Sequence, residues 1–132
     1  MKYDFFPGRF QPPHLGHMYL FQQSLDKGIP VCIAIRDIEP DEKNPLSATI
    51  VSMLWQEIYK DNDQVKVIII PDIFAIKYGR SVGYAVEEII PPTHIGGISA
   101  TEIRKNIELS NDKWKEMVDP KIHALLASLL TT

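Results

Sequence analysis

Residues 7–17, Pro-Gly-Arg-Phe-Gln-Pro-Pro-His-Leu-Gly-His, come directly after the first apolar run of the chain. The segment sets a glycine, an arginine and two histidines on the turn between a predicted strand and a predicted helix. His14 and His17 stand three residues apart, which puts both on one face of the first helical turn. A helix N-terminus carries unpaired N–H groups and a partial positive charge, so it is a ready site for phosphate. Gly8 lets the backbone approach a ligand closely. Arg9 adds a permanent cation. The segment offers no obvious nucleophile, and its chemistry fits the binding of a polyphosphate. His14 and His17 would donate hydrogen bonds to phosphoryl oxygens whose charge grows in a transition state. A zinc pair or two purely structural histidines are the competing readings. Zinc normally takes three or four ligands, and His94 and His123 have no matching spacing.

Three further segments carry suitable side chains. Residues 98–104, Ile-Ser-Ala-Thr-Glu-Ile-Arg, put Ser99 and Thr101 at the opening of a helix with Arg104 one turn in; hydroxyls, free N–H groups and a guanidinium suit phosphates. Residues 37–48 hold Lys43, placed to reach a phosphate, and Asp37 and Asp41, which could hold a magnesium–phosphate complex through water. Residues 71–84 mix Lys77, Tyr78 and Arg80 with two glycines, a combination that fits a base or a second phosphate group, and also an ordinary surface loop.

These segments need a frame. The chain has 132 residues and a formal net charge of −3, so it reads as one domain without a broad basic surface for nucleic acid. Its single cysteine, Cys32, lies in an apolar run and reads as a small core residue. No apolar stretch reaches membrane-spanning length. The opening residues read as a strand rather than a secretory leader, and a cytoplasmic protein is the expectation.

Tyr3–Phe6, Val31–Ile35 and Val65–Ile70 are nearly continuous apolar runs, as in parallel strands buried on both faces. Between them, Leu15, Met18, Phe21 or Gln22, and Leu25 mark a helix that Gly28 and Pro30 end. A second helix carries Leu46, Ile50, Leu54 and Ile58, with either Asn44 before Pro45 or Ser47 as its cap. The order β-α-β-α-β predicts an α/β fold with a doubly wound parallel sheet, which binds ligands at the carboxyl ends of its strands. Beyond residue 70, Gly83–Ile90 reads as another strand. Ser99–Leu109 reads as a helix with a Ser99/Glu102 capping box. Lys113–Val118 and Lys121–Leu130 read as two further helices.

Gly8–His17 resembles the (H/T)xGH signature of the nucleotidyltransferase superfamily, related to the HIGH signature of class I aminoacyl-tRNA synthetases. Ile98–Arg104 resembles that superfamily's second signature, ISxTxxR. The GRFQP form of the first motif, the Asn44-Pro45 before the second helix, and the TEIR helix followed by Lys113-Trp114 are similar to archaeal-type nicotinamide mononucleotide (NMN) adenylyltransferases. The resemblance implies a Rossmann-like fold and in-line transfer of a nucleoside monophosphate from a nucleoside triphosphate to a phosphorylated acceptor. Pyrophosphate leaves, no covalent intermediate forms, and Mg²⁺ bridges the leaving phosphates. It implies that His14 and His17 contact the β- and α-phosphates, that Gly8, Arg9, Phe10 and Gly16 line the nucleotide, and that Ser99, Thr101 and Arg104 hold the leaving group, with Lys43 assisting. Lys77, Tyr78 and Arg80 are left for the acceptor. It also implies a homo-oligomer, with Trp55, Trp114 and the C-terminal leucines as interface candidates.

Against those relatives the chain is shorter between the third strand and Ile98, by roughly one strand–helix unit, and has Pro13 where an aromatic residue is usual. ATP with NMN is the leading substrate pair. CTP with a small phosphorylated alcohol such as glycerol 3-phosphate is the alternative, and a nucleotide-binding module without turnover is the third reading.

Overall fold

The computed structural model describes residues 1–80 and 82–130. Three parallel strands, β1 (Asp4–Gly8), β2 (Val31–Asp37) and β3 (Val65–Pro71), lie in the order β1-β2-β3. Phe6, Ile33 and Val67 are in register across them. Only the central strand is buried throughout its apolar run, from Val31 to Ile35. The flanking strands hold only half-buried and exposed residues, so burial on both faces holds for β2 alone.

Helix α1 (Leu15–Asp26) follows β1, and α2 (Ala48–Ile58) follows β2. Helix α1 ends where Gly28 takes a left-handed φ of 74°, a conformation glycine adopts without steric cost. Ser47 caps α2, its hydroxyl accepting the Ile50 N–H at 3.3 Å. Asn44 instead belongs to the preceding loop. The buried side of α2 is centred on Val51, Leu54, Trp55 and Ile58, and Ile50 sits at its margin.

Val31, Ile33 and Ile35 face this helix and Phe21 of α1. The C-terminal segments close the same core with Ile103, Ile107, Trp114, Val118, Ile122 and Leu126. Ile103 and Ile107 are one turn apart on α4 (Ala100–Glu108), capped by Ser99, whose hydroxyl accepts the Glu102 N–H. The predicted helix at Lys113–Val118 is a 3₁₀ turn, Asp112–Met117. It runs from the Asn111 cap, whose side chain accepts the Lys113 N–H, to extended Val118. A second 3₁₀ turn, Pro120–Ile122, leads into α5 (His123–Leu130). Trp55 and Trp114 are core residues, 0% and 2% exposed, and are unavailable as interface residues.

The predicted strand at Gly83–Ile90 is not formed. Residues 72–80 and 82–92 run without regular structure, and Phe74, Tyr78, Tyr84, Val86 and Ile90 are exposed. Tyr84 and Val86 stand two residues apart, but Glu88 interrupts the pattern and these side chains meet no sheet. A four-residue helix, α3 (Thr93–Gly96), then packs against α1.

Candidate active site

The loop after β1 is shaped by its own side chains. Phe10 holds a left-handed φ of 52°. Its ring folds back over Gly8, where a Cβ would lie 2.7 Å from the ring. The ring is 6% exposed and packs edge-on against His17, Phe21 and Trp55, with centroids 4.9, 6.2 and 5.3 Å away. Phe10 is therefore part of the floor beneath His17, while Arg9 points its charge outward from an exposed position. Gln11, buried, ties the loop to the entry of α2: its Nε2 donates to the Leu46 carbonyl at 2.7 Å, and its Oε1 accepts the Leu46 N–H at 2.9 Å. This amide imitates a strand pairing and holds two loops at one distance.

The histidines cap α1 with their rings. Nδ1 of His14 accepts the Gly16 N–H at 3.0 Å, and Nδ1 of His17 accepts the His14 N–H at 3.1 Å. The rings stack with centroids 3.7 Å apart and planes 19° off parallel. A neutral imidazole that accepts at Nδ1 carries its proton on Nε2. Both histidines are thereby fixed as Nε2–H donors. Trp55 Nε1 is the one fully buried side-chain nitrogen or oxygen without a partner among the described residues, so the unpartnered Nε2 atoms of His14 and His17 reach solvent. Burial lowers the His14 pKa to about 4. Burial, and then the neighbouring His14, push His17 well below its ordinary value. At neutral pH the pair is uncharged. Gly16 is required by the same arrangement, because a Cβ there would stand 2.8 Å from the His14 ring. Binding zinc through Nε2 would move the protons to Nδ1, against the two backbone N–H donors, so this geometry does not favour the metal reading.

Arg104 joins the second motif to the first across most of the sequence. Its Nη1 donates to the Gln11 carbonyl, and its Nη2 lies 3.5 Å from the Thr101 hydroxyl. The third segment closes the circle. Oδ1 of Asp41 accepts from the N–H of Lys43 at 2.9 Å, the N–H of Asn44 at 2.7 Å and the Asn44 amide at 3.2 Å. These bonds, the Asn44 N–H foremost, with the charge of Arg9 beyond them, hold its carboxyl below the usual range. Asp41 also faces Arg104, whose pKa burial draws down while the carboxylate opposes that shift. Arg9, Asp41 and Arg104 thus form one charged rim beside the histidines.

Lys43 and Asp37 are exposed at the edge of this region. Ser99 and Thr101 sit at the start of α4, with Ser99 occupied as its cap. The structure joins the first three segments. It does not join the fourth: Lys77, Tyr78 and Arg80 are exposed on the 72–92 segment and make no hydrogen bond or ion pair with the described residues. No group of three or more His, Cys, Asp or Glu side chains is placed to hold a metal ion among the described residues.

Gln11 and Trp55 are absent from the sequence-derived site. Gln11 had a signal, as a polar amide set between Phe10 and two prolines inside the motif. Trp55 had only its helical spacing from Ser52 and Ile58.

A family model described as cytidylyltransferase-like matches residues 5–68, from β1 to β3. The chain is 24% identical to a nicotinamide-nucleotide adenylyltransferase of Pyrobaculum aerophilum over 160 aligned positions, covering 98% of this chain and 89% of the relative. It is 25% identical to one of Sulfurisphaera tokodaii, covering 94% and 90%, and 26% identical to one of Ignicoccus hospitalis, covering 94% and 90%. The alignments are longer than the chain itself, so these relatives carry residues that this chain lacks. Two signatures joined at one loop, and these matches along nearly the whole chain, support a nucleotidyltransferase, similar to the cytidylyltransferase-like family and to the archaeal nicotinamide-nucleotide adenylyltransferases.

Proposed function

We propose that the protein transfers adenylate from ATP to NMN, yielding NAD and pyrophosphate. The observation that carries this reading is the pair of neutral Nε2–H donors at the start of α1, with Arg104 against the same loop. The names of the relatives and the GRFQP form of the first motif support the choice of substrates.

In the proposed reaction an oxygen of the acceptor phosphate attacks the α-phosphorus of ATP in line. A new P–O bond forms as the bond from the α-phosphorus to the bridging oxygen breaks, and that electron pair leaves with pyrophosphate. Little is asked of the protein beyond positioning and charge stabilisation. His14 and His17 donate to phosphoryl oxygens, and their hydrogen bonds strengthen as negative charge accumulates there. As neutral donors they do not lock the ground-state triphosphate in place as cations would, which favours transition-state over uniform binding. Gly8, Phe10 and Gly16 offer backbone to the nucleotide, and Arg9 and Lys43 cover its charge from the rim. Arg104, with Ser99 and Thr101, receives the leaving group. Mg²⁺, bound through the phosphates, supplies charge neutralisation on the leaving group. Lys77, Tyr78 and Arg80 are the proposed acceptor contacts.

A cytidylyltransferase acting on a small phosphorylated alcohol is the second reading, favoured by the description of the matching family model. Pyrophosphate release with Mg²⁺ and NMN, comparing ATP with CTP and assaying NAD in the same tube, separates the two. NAD formed with ATP alone is the expected result. Turnover with CTP and glycerol 3-phosphate, without NAD, would replace it with the second reading.

A further inference from the structure

The two edges of the sheet are unlike. The Asp4 N–H donates to Pro30, so Asp4, Phe6 and Gly8 turn their backbone groups toward β2, and Phe5 and Pro7 turn theirs outward. Pro7 has no N–H, and proline within a sheet belongs to an edge. The outer side of β1 is closed to a further strand.

β3 is the reverse case. The Val31 N–H donates to Gln64 at 2.8 Å, so Lys66, Ile68 and Ile70 face β2, and Val65, Val67 and Ile69 turn their backbone groups out. The Val65 N–H is loosely held by Asn62 at 3.4 Å. Among the described residues, the N–H groups of Val67 and Ile69 and the carbonyls of all three have no partner, and no segment after β3 pairs with this edge. Arg36, on β2, pairs with Asp72 at 2.8 Å and donates to the Ile73 carbonyl at 3.1 Å, leading the backbone over β2 instead. Ile69 is 45% exposed. Beside Val65 and Val67 runs a groove that Gln56, Tyr59, Lys60 and Asn62 also line.

We infer that β3 pairs antiparallel with β3 of a second copy, about a twofold axis at Val67, making one six-stranded sheet. This register sets Val67 against Val67 and Val65 against Ile69, so every outward N–H meets an outward carbonyl. It places each copy's Ile69 in the other's groove, since residues opposite one another in such a pair project to the same face. Charge selects the register. Centring on Lys66 would oppose two ammonium groups, and centring on Ile68 would set Pro71, without an N–H, against Val65. A register shifted by one residue would oppose outward groups to inward ones. Because Pro7 closes the other edge, the pairing ends at the dimer and does not propagate. A contact of one seven-residue strand with its copy lies at the low end of specific interfaces, so the dimer is reversible.

Sedimentation velocity on the whole chain over a wide concentration range tests this, with hydrogen exchange followed across Val65–Pro71. A reversible monomer–dimer equilibrium is expected, with protection of the Val67 and Ile69 amides rising as the dimer fills. Ile69→Lys should weaken association by at least about tenfold, and Val67→Pro should abolish it. Ile69→Lys changes an exposed side chain, so it keeps the test sound where the proline variant does not fold. A monomer at every concentration would overturn the inference. So would an assembly that survives Ile69→Lys, one that grows beyond the dimer, or protection that appears on residues 74–90 instead.

Discussion

At the scale of single residues the site is a device for fixing a tautomer. His14 and His17 each spend Nδ1 on a backbone N–H at the start of α1, which caps the helix and, in the proposed reaction, holds the donating proton on Nε2. His17→Ala removes one such donor, and turnover should fall by roughly 10²-fold, the scale of one lost transition-state donor. ATP affinity should change far less, as equilibrium nucleotide titration would show. An equal loss of affinity with unchanged turnover would refute the role. Gly16 has a narrower task, to leave room for the His14 ring. Gly16→Ala forces that ring from its stacked place, and the melting curve should report about 1–3 kcal/mol of destabilisation, as for overpacking elsewhere. A variant as stable as the parent would mean that the stack is not needed.

At the scale of elements, what matters is that α4 reaches the loop after β1. Arg104 spans that gap through the Gln11 carbonyl, and Gln11 in turn spans to α2 through Leu46. Three segments far apart in sequence are held at one point by an arginine and an amide. Arg104→Ala should weaken triphosphate binding and leave the fold intact, since α4 and the 3₁₀ turn after it rest on Ile103, Ile107 and Trp114. Unchanged titration with ATP in that variant would refute the contact. The strands, α1, α2 and α4 were legible because each is announced locally, by an apolar run or by a capping residue at the right offset. Neither the Gln11 bridge nor the Trp55 floor was legible, because both depend on a contact with a distant segment that periodicity does not encode. The strand expected at Gly83–Ile90 failed for a related reason. Large side chains such as Tyr84, Val86 and Ile90 record a capacity to lie half-buried, and a strand forms only where an open edge accepts it. Pro7 closes the edge of β1, and Arg36 turns the chain from that of β3.

For the whole molecule, the buried neutral histidines tie folding to pH while leaving the chemistry free of it. The His14 pKa is about 4 in the folded chain and 6.5 in the unfolded one, and His17 is lowered in the same sense. Between these values the unfolded chain binds more protons, so protons favour unfolding. Stability contributed by a neutral His14 is whole above pH 6.5 and declines as pH falls, by on the order of 3 kcal/mol before the folded form also titrates near pH 4. Denaturant titrations from pH 7.5 down to about pH 4.5 should show this loss, and a slope near zero would contradict the burial of the pair. Turnover should behave differently over the upper part of the same range. Both histidines remain neutral donors while the fold persists, so the pH–rate profile should show no inflection at an ordinary histidine value near 6.5. If turnover did rise or fall with such an inflection, and His17→Ala abolished it, the pair would be acting by gaining and losing a proton rather than by holding one on Nε2.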